Sequence, residues 1–265
     1  MKNIFLALLA LSFAIPAWSQ EYVTQRLEKS PRHLEWVDVK NGDRSIKCFV
    51  AYPEKKEKAA VVIVIHENRG LTDWVRGVTD QLAEAGYIAI APDLLSGKGP
   101  KGGNTSDFAN EDAAREAIYQ LPQDQVSSDL NAVADYASKI PAGNGSLAVA
   151  GFCWGGGQSF RFATQRSGLK AAFVFYGMFP YTKEDLARIA SPIYGFYGGD
   201  DERIDATIPD TTKDMKEAGK TYDPVIYEGA GHGFMRSGED PSGSEADRKA
   251  RDSAWERWKK LLGSF

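Results

Sequence analysis

Cysteine, histidine and methionine are the scarce residues of this chain, numbering two, three and four among 265. Two cysteines, Cys48 and Cys153, are too few for a disulfide framework or a cysteine-rich zinc site. Charge of one sign is lacking too: 32 Lys+Arg face 36 Asp+Glu, with no long basic block, which argues against an electrostatic nucleic-acid binder. Gly97-Lys98 sits in a glycine-rich stretch, but without the G-x-x-x-x-G-K-[ST] spacing of a phosphate-binding loop. No pyridoxal phosphate or flavin fingerprint and no metal-ligand cluster stands out, so no cofactor is expected. The three histidines, His33, His66 and His232, are then the only candidates for imidazole chemistry.

What remains, 43% hydrophobic and 26% charged residues, is the composition of a soluble globular domain. Its first nineteen residues read as an address. Met1-Lys2-Asn3 gives a short positive start, Ile4 to Pro16 is an uncharged and mostly apolar run, and Ala17-Trp18-Ser19 puts small residues at the −3 and −1 positions of a cleavage site. A bilayer-spanning helix needs about 20 apolar residues, more than this run supplies, so a cleaved secretory signal is expected and an uncleaved anchor is the alternative. No twin arginine and no following cysteine accompanies the run, which favours general export over a lipoprotein. Cutting after Ser19 removes one charge, Lys2, and leaves a single domain of residues 20–265 with net charge −5. A secreted or periplasmic protein, free of the membrane after processing, is the expectation. In an oxidising compartment Cys48 and Cys153 could pair, although each has a local context of its own.

Ala59 to Ile65 is a continuous β-branched run, the pattern of a strand buried on both faces of a parallel sheet. Ser45–Tyr52 alternates as a strand that puts Ile46, Cys48, Val50 and Tyr52 on one face. Further strands are expected at Tyr87–Ala91, Leu147–Phe152, Ala171–Tyr176, Ile193–Tyr197 and Asp223–Tyr227. Helical spacing covers Trp74–Ala85, Glu111–Leu121, Gln125–Ile140, the stretch after Cys153 through Ala163, Lys183–Ile189, Asp205–Ala218 and Glu245–Leu262. Strands alternating with helices predict an α/β architecture, a mostly parallel sheet with helices on both faces. Ser96–Asn104 is read as a surface loop on the ligand-binding side of that sheet.

Gly151-Phe152-Cys153-Trp154-Gly155-Gly156-Gly157 lies between an expected strand and an expected helix. A nucleophile elbow needs glycines two residues to either side of its central residue, because strand and helix backbones approach closely there. This geometry exposes the Cys153 side chain above the sheet and aims the Trp154 N–H at a developing oxyanion; an inert cysteine in a glycine-rich turn is the plainer alternative. An elbow also fixes the order of its partners, acid first and histidine second. Gly198-Gly199-Asp200-Asp201 follows a strand where the acid belongs, and Asp201 is preferred because the residues before it make the turn. His232, in the glycine-flanked loop after the last strand, is the expected base. His33 reads as a surface residue and His66, at a strand end, as an oriented or core histidine.

These residues resemble the dienelactone hydrolase family of α/β-hydrolases, whose nucleophile is a cysteine in the same G-x-C-x-G-G setting. The likeness runs from about Ala59 to the C-terminus. His66-Glu67-Asn68-Arg69-Gly70 matches the family segment carrying a glutamate beside the thiol, which implies that Glu67 assists thiol deprotonation and that the Asn68 N–H is the second oxyanion donor. Arg115-Glu116-Ala117-Ile118-Tyr119 is similar to the family's R-x-x-x-Y, and His232-Gly233-Phe234-Met235-Arg236 to its H-x-F-x-R. The resemblance implies that Arg115, Tyr119 and Arg236 hold a substrate carboxylate; taken singly, each arginine reads as a solvated surface charge. Typical members lack an export signal, an N-terminal extension such as Gln20–Pro31 and a glycine-rich loop such as Ser96–Asn104. The expected activity is hydrolysis of a small-molecule ester or lactone through a thioester, by a monomer or small homo-oligomer. A broad carboxylesterase for neutral esters and a non-catalytic exported binding protein with Cys48 and Cys153 bridged are the alternatives.

Overall fold

Ala59–Ile65, the run with no polar residue, becomes the strand β3 and is buried along its whole length. It lies between β4 (Ile88–Pro92) and β5 (Gly143–Phe152), parallel to both. The computed structural model describes residues 18–264; the part of the expected signal segment up to Ala17 lies outside the described residues. Beyond β5 the sheet continues in parallel through β6 (Leu169–Phe175), β7 (Ile193–Gly198) and β8 (Tyr222–Tyr227). On the other side β2 (Arg44–Tyr52) pairs antiparallel with β4 and with the edge strand β1 (His33–Asn41). The eight-stranded order β1-β2-β4-β3-β5-β6-β7-β8 is the expected α/β arrangement.

Alternate residues of β3 feed two cores. Ile63 and Ile65 join a cluster with Ile118 of α3 (Glu111–Tyr119), Leu130 and Val133 of α4 (Gln123–Ala137) and Phe162 of α5 (Trp154–Gln165). Val62 and Val64 pack on the opposite face with Trp74 and Val78 of α2 (Asp73–Glu84) and Trp258 of α10 (Glu245–Leu262). Burying each such Val, Ile or Phe contributes about 1.5–3 kcal/mol, so both faces must be covered for the sheet to be stable. Covering both leaves the strand ends, where chemistry can reach solvent.

Three features depart from the sequence reading. The extension before β1 is helical, α1 (Trp18–Glu28), and packs on α2 with Val23 buried against Gly77. The stretch Asp205–Ala218 divides into α7 (Glu202–Asp205) and α8 (Ile208–Glu217), with Pro209 in the first turn of α8, where its missing N–H costs nothing. The edge strand β1 was not expected either. Cys48 and Cys153, whose separate contexts argued against pairing, are both free. Cys48 is fully buried in the first core with its thiol on the Ile46 carbonyl, so the bridge that the binding-protein alternative invoked is not formed. The short helices α6 (Lys183–Arg188) and α9 (Phe234–Ser237) complete the chain, and among the described residues no helix is long and apolar enough to cross a membrane.

Candidate active site

β5 hands over to α5 at Cys153, whose φ of 54° and ψ of −117° are those of a tight, strained turn. Holding a non-glycine residue there costs about 1–3 kcal/mol, which the surrounding backbone must offset. The Cys153 N–H donates to the Phe175 carbonyl at 3.0 Å. A Cβ on Gly151 would collide with the Gly155 carbonyl, and one on Gly155 with the His66 carbonyl, so both positions need glycine. The elbow thus lies pressed against the end of β3. Trp154 opens α5, where the first amides have no intrahelical acceptor.

Two loops bring the partners. After β7 the turn exposes Asp200 and buries Asp201, the choice that the turn spacing favoured. After β8 the loop carrying His232 crosses so close to that turn that a Cβ on Gly198 would lie 2.5 Å from the Ala230 oxygen. Asp201 Oδ2 accepts from His232 Nδ1, and His232 Nε2 stands 3.2 Å from Cys153 Sγ. Imidazole pKa is pushed up to about 9, first by the hydrogen bond with the Cys153 sulfur and then, against the opposing effect of burial, by Asp201. Tyr176, missed by the sequence reading, supports the ring edge-on with centroids 5.2 Å apart. Its φ of 38° was not legible in the strand pattern.

At the end of β3 the chain turns through His66, Glu67 and Asn68. Glu67 is buried and accepts from Arg236 Nε at 2.9 Å, the guanidinium arriving from α9. Asn68 is half-buried, and its side-chain amide donates to the Tyr119 hydroxyl at 3.1 Å. Cys153, His232, Asp201, Glu67 and Asn68 therefore gather at the carboxyl end of the sheet.

The sequence profile of the dienelactone hydrolase family matches residues 46–265. The chain belongs to that family. A relative from Escherichia coli (strain K12), provisionally named carboxymethylenebutenolidase, is 32% identical over 205 residues, 73% of this chain and 74% of the relative. Another of the same provisional name, from Saccharolobus solfataricus, is 30% identical over 253 residues, covering 82% of this chain and 93% of its own. A crystal structure from Klebsiella pneumoniae, provisionally named dienelactone hydrolase, superposes with a TM-score of 0.77 at 24% identity, over 88% of this chain and 99% of the other, and shows the same fold. The protein is thus a dienelactone hydrolase-like hydrolase of the α/β-hydrolase fold.

In this dienelactone hydrolase family member the three residues expected at a substrate carboxylate are only partly gathered. Arg236 sits beside Glu67, and Tyr119 beside Asn68. Arg115 is turned to Asp112 on its own helix at 3.1 Å, and its side chain is 42% exposed. A further cation, Arg69, went unassigned within its motif. It bridges to Glu111 at 2.8 Å and shares with Arg236, Tyr22 and Trp74 a cavity of about 290 Å³. The Ser96–Asn104 loop is closed by a Gly99–Gly103 bridge, and beside it Asp93 binds the Thr105 N–H and hydroxyl at 2.9 and 2.7 Å. His33 is exposed at the start of β1, and His66 is fully buried. Among the described residues no group of three or more His, Cys, Asp or Glu side chains is placed to hold a metal ion.

Proposed function

We propose that this chain is an exported, cysteine-dependent hydrolase of esters or lactones that works through Cys153, His232 and Asp201. The observation that carries this reading is the continuous contact from Asp201 through His232 to a sulfur on a strained elbow. The Cys153 thiol gives its proton to His232 Nε2, which becomes the imidazolium, as the sulfur attacks the substrate carbonyl carbon; the carbonyl π electrons move to oxygen, where the Trp154 and Asn68 amides stabilise the charge. Collapse of this intermediate breaks the carbonyl–oxygen bond, and the imidazolium of His232 gives its proton to the departing alkoxide. The thioester carbonyl then accepts a hydroxyl from water whose proton His232 takes, and the sulfur leaves to recover that proton. Because the sulfur is the largest cause of the raised imidazole pKa, acylating it returns His232 toward the neutral base that this second half needs.

Glu67 is proposed to assist the thiol, from a position in which Arg236 now holds it. An anionic substrate is favoured by Arg236, whose terminal amino groups are left for a carboxylate while Nε serves Glu67, with Tyr119 and Arg115 at the rim. The relatives' name, carboxymethylenebutenolidase, describes a carboxylated lactone as their substrate. A second reading, a carboxylesterase for neutral esters, is supported by the internal pairing of Arg236 and Arg115. Turnover of a dienelactone and of p-nitrophenyl acetate by wild type, Cys153→Ala and Arg236→Ala tests both. Turnover retained by Cys153→Ala sinks the mechanism. Equal effects of Arg236→Ala on the two substrates select the neutral-ester reading.

A further inference from the structure

His66, like the exposed His33, has no part in the proposed mechanism, yet its ring lies against Trp154 and meets the carbonyl of the peptide that leads into Asn68. It is fully buried. Its Nε2 accepts the Leu94 N–H at 3.3 Å, which leaves the proton on Nδ1, and Nδ1 lies 2.7 Å from the Glu67 carbonyl oxygen. Its plane lies over the Trp154 indole, 5.5 Å between centroids and 13° from parallel. Burial keeps the imidazole pKa below 6.5 against the pull of Asp93 and Glu67, so the neutral tautomer persists.

We propose that His66 is a positioning residue for the oxyanion hole: its Nδ1–H holds the Glu67–Asn68 peptide in the orientation that presents the Asn68 N–H to the reacting carbonyl. The argument is one of peptide geometry. Glu67 C=O and Asn68 N–H belong to one planar unit and, across a trans bond, point in opposite directions. Drawing the carbonyl toward a fully buried imidazole turns the N–H away from the interior, toward the half-buried side where the Asn68 side chain meets Tyr119. The Gly70 N–H also reaches the Glu67 carbonyl, but at 3.4 Å; without the shorter imidazole bond only that longer tether remains, and the N–H loses its aim. The ring is itself held in place. Leu94 is followed by Leu95, whose N–H donates to Asp93 at 3.0 Å, and the same carboxylate binds Thr105, whose hydroxyl accepts from Leu71 N–H at 3.1 Å. The loops after β3 and β4 are thereby tied together around His66, and preorganised donors need such support to contribute fully.

This inference rests on the proposed thiol mechanism, and its test separates the two. His66→Phe keeps an aromatic plate on Trp154 and removes the donor; His66→Asn removes the plate and keeps an amide donor near the Nδ1 position. Steady-state hydrolysis of p-nitrophenyl acetate is measured beside the rate of Cys153 alkylation by iodoacetamide, a displacement at carbon that forms no oxyanion. We expect His66→Phe to lower kcat by about 30- to 100-fold, below the full loss of an oxyanion donor, with KM and the alkylation rate little changed. His66→Asn should stay within about fivefold of wild type, since a hydrogen bond to the Glu67 carbonyl is retained. A His66→Phe kcat within about threefold of wild type, or an alkylation rate that falls in step with kcat, overturns the inference. Should His66→Phe not fold, His66→Asn decides: a loss of about 100-fold with normal alkylation overturns it and the small loss supports it. Wild-type turnover in Cys153→Ala would instead overturn the mechanism beneath it.

Discussion

Arg236 donates its Nε–H to Glu67 Oε2 at 2.9 Å, joining two residues that the sequence places in separate motifs with separate roles. The Glu67 side chain is only 5% exposed, and that guanidinium is its partner within the protein. Arg236→Ala is expected to lower stability by about 1–2 kcal/mol, between the values for exposed and buried pairs, because Arg236 itself is a third exposed. Adding Glu67→Gln to Arg236→Ala should restore part of the loss, since no unpaired buried charge remains. Urea unfolding of the two single variants and the double variant measures this coupling, and additive losses would contradict it.

His232 carries the pH dependence. Its pKa of about 9 lies above the ordinary 6.5, with the Cys153 sulfur as the first cause. A group raised on folding stabilises the fold fully below its unfolded pKa and loses that contribution as pH rises through its folded pKa. The protein should therefore lose stability between about pH 6.5 and 9, and Cys153→Ala should flatten that slope. Histidine ring NMR gives the direct check. The His232 resonance should titrate near 9 in wild type and move toward 6.5 in Cys153→Ala; an unchanged midpoint would remove the sulfur as the cause.

The elbow glycines yield a contrast between crowding and strain. A Cβ on Gly155 meets the backbone oxygens of His66 and Ile65, at the end of a fully buried strand that cannot give way. A Cβ on Gly145 has nothing within 4 Å, only a φ of 87° to oppose it. Gly145→Ala should cost about 1–2 kcal/mol, the ordinary cost of a left-handed residue. Gly155→Ala should cost about 3 kcal/mol or more and abolish turnover, because the Cys153 turn must move. Unfolding midpoints of the two variants, with activity beside them, decide whether close approach sets the glycine requirement.

These contrasts show which parts of the molecule local pattern could reveal. The run Ala59–Ile65 and the G-x-C-x-G-G turn announce themselves because β-branched burial and backbone crowding leave marks in neighbouring residues. Asp201 was separable from Asp200 for the same reason, since the turn itself decides which carboxylate faces inward. Edge strand β1 was not legible: Val39 is its one buried residue, so alternation is weak. Pairings such as Glu67 with Arg236 or Arg69 with Glu111 join residues far apart in the chain, and nothing local encodes them. The docking of α1 belongs to the same class. Its partners Gly77, Asp73 and Glu84 lie on a helix that begins more than forty residues later.

That docking yields the final prediction. Val23 is 1% exposed, its methyl lies against Gly77, and Thr24 donates to Asp73 at 2.9 Å. Arg26 adds contacts to Glu84 and to the buried Glu239. Cleavage after Ser19 would remove only the first two residues of α1 and keep all of these anchors. Val23→Ala removes two methyl groups' worth of burial, so about 1–2 kcal/mol of stability should be lost. Turnover at 25 °C should be unaffected, because Val23 lies against α2, away from Cys153 and His232 at the sheet's carboxyl end. Removing residues 20–31 should cost more than Val23→Ala, through the lost Arg26 and Ser30 contacts. Urea unfolding of a chain beginning at Gln20, of that chain with Val23→Ala and of one beginning at Arg32 provides the measurement. Equal midpoints for all three would show that α1 contributes nothing to the fold.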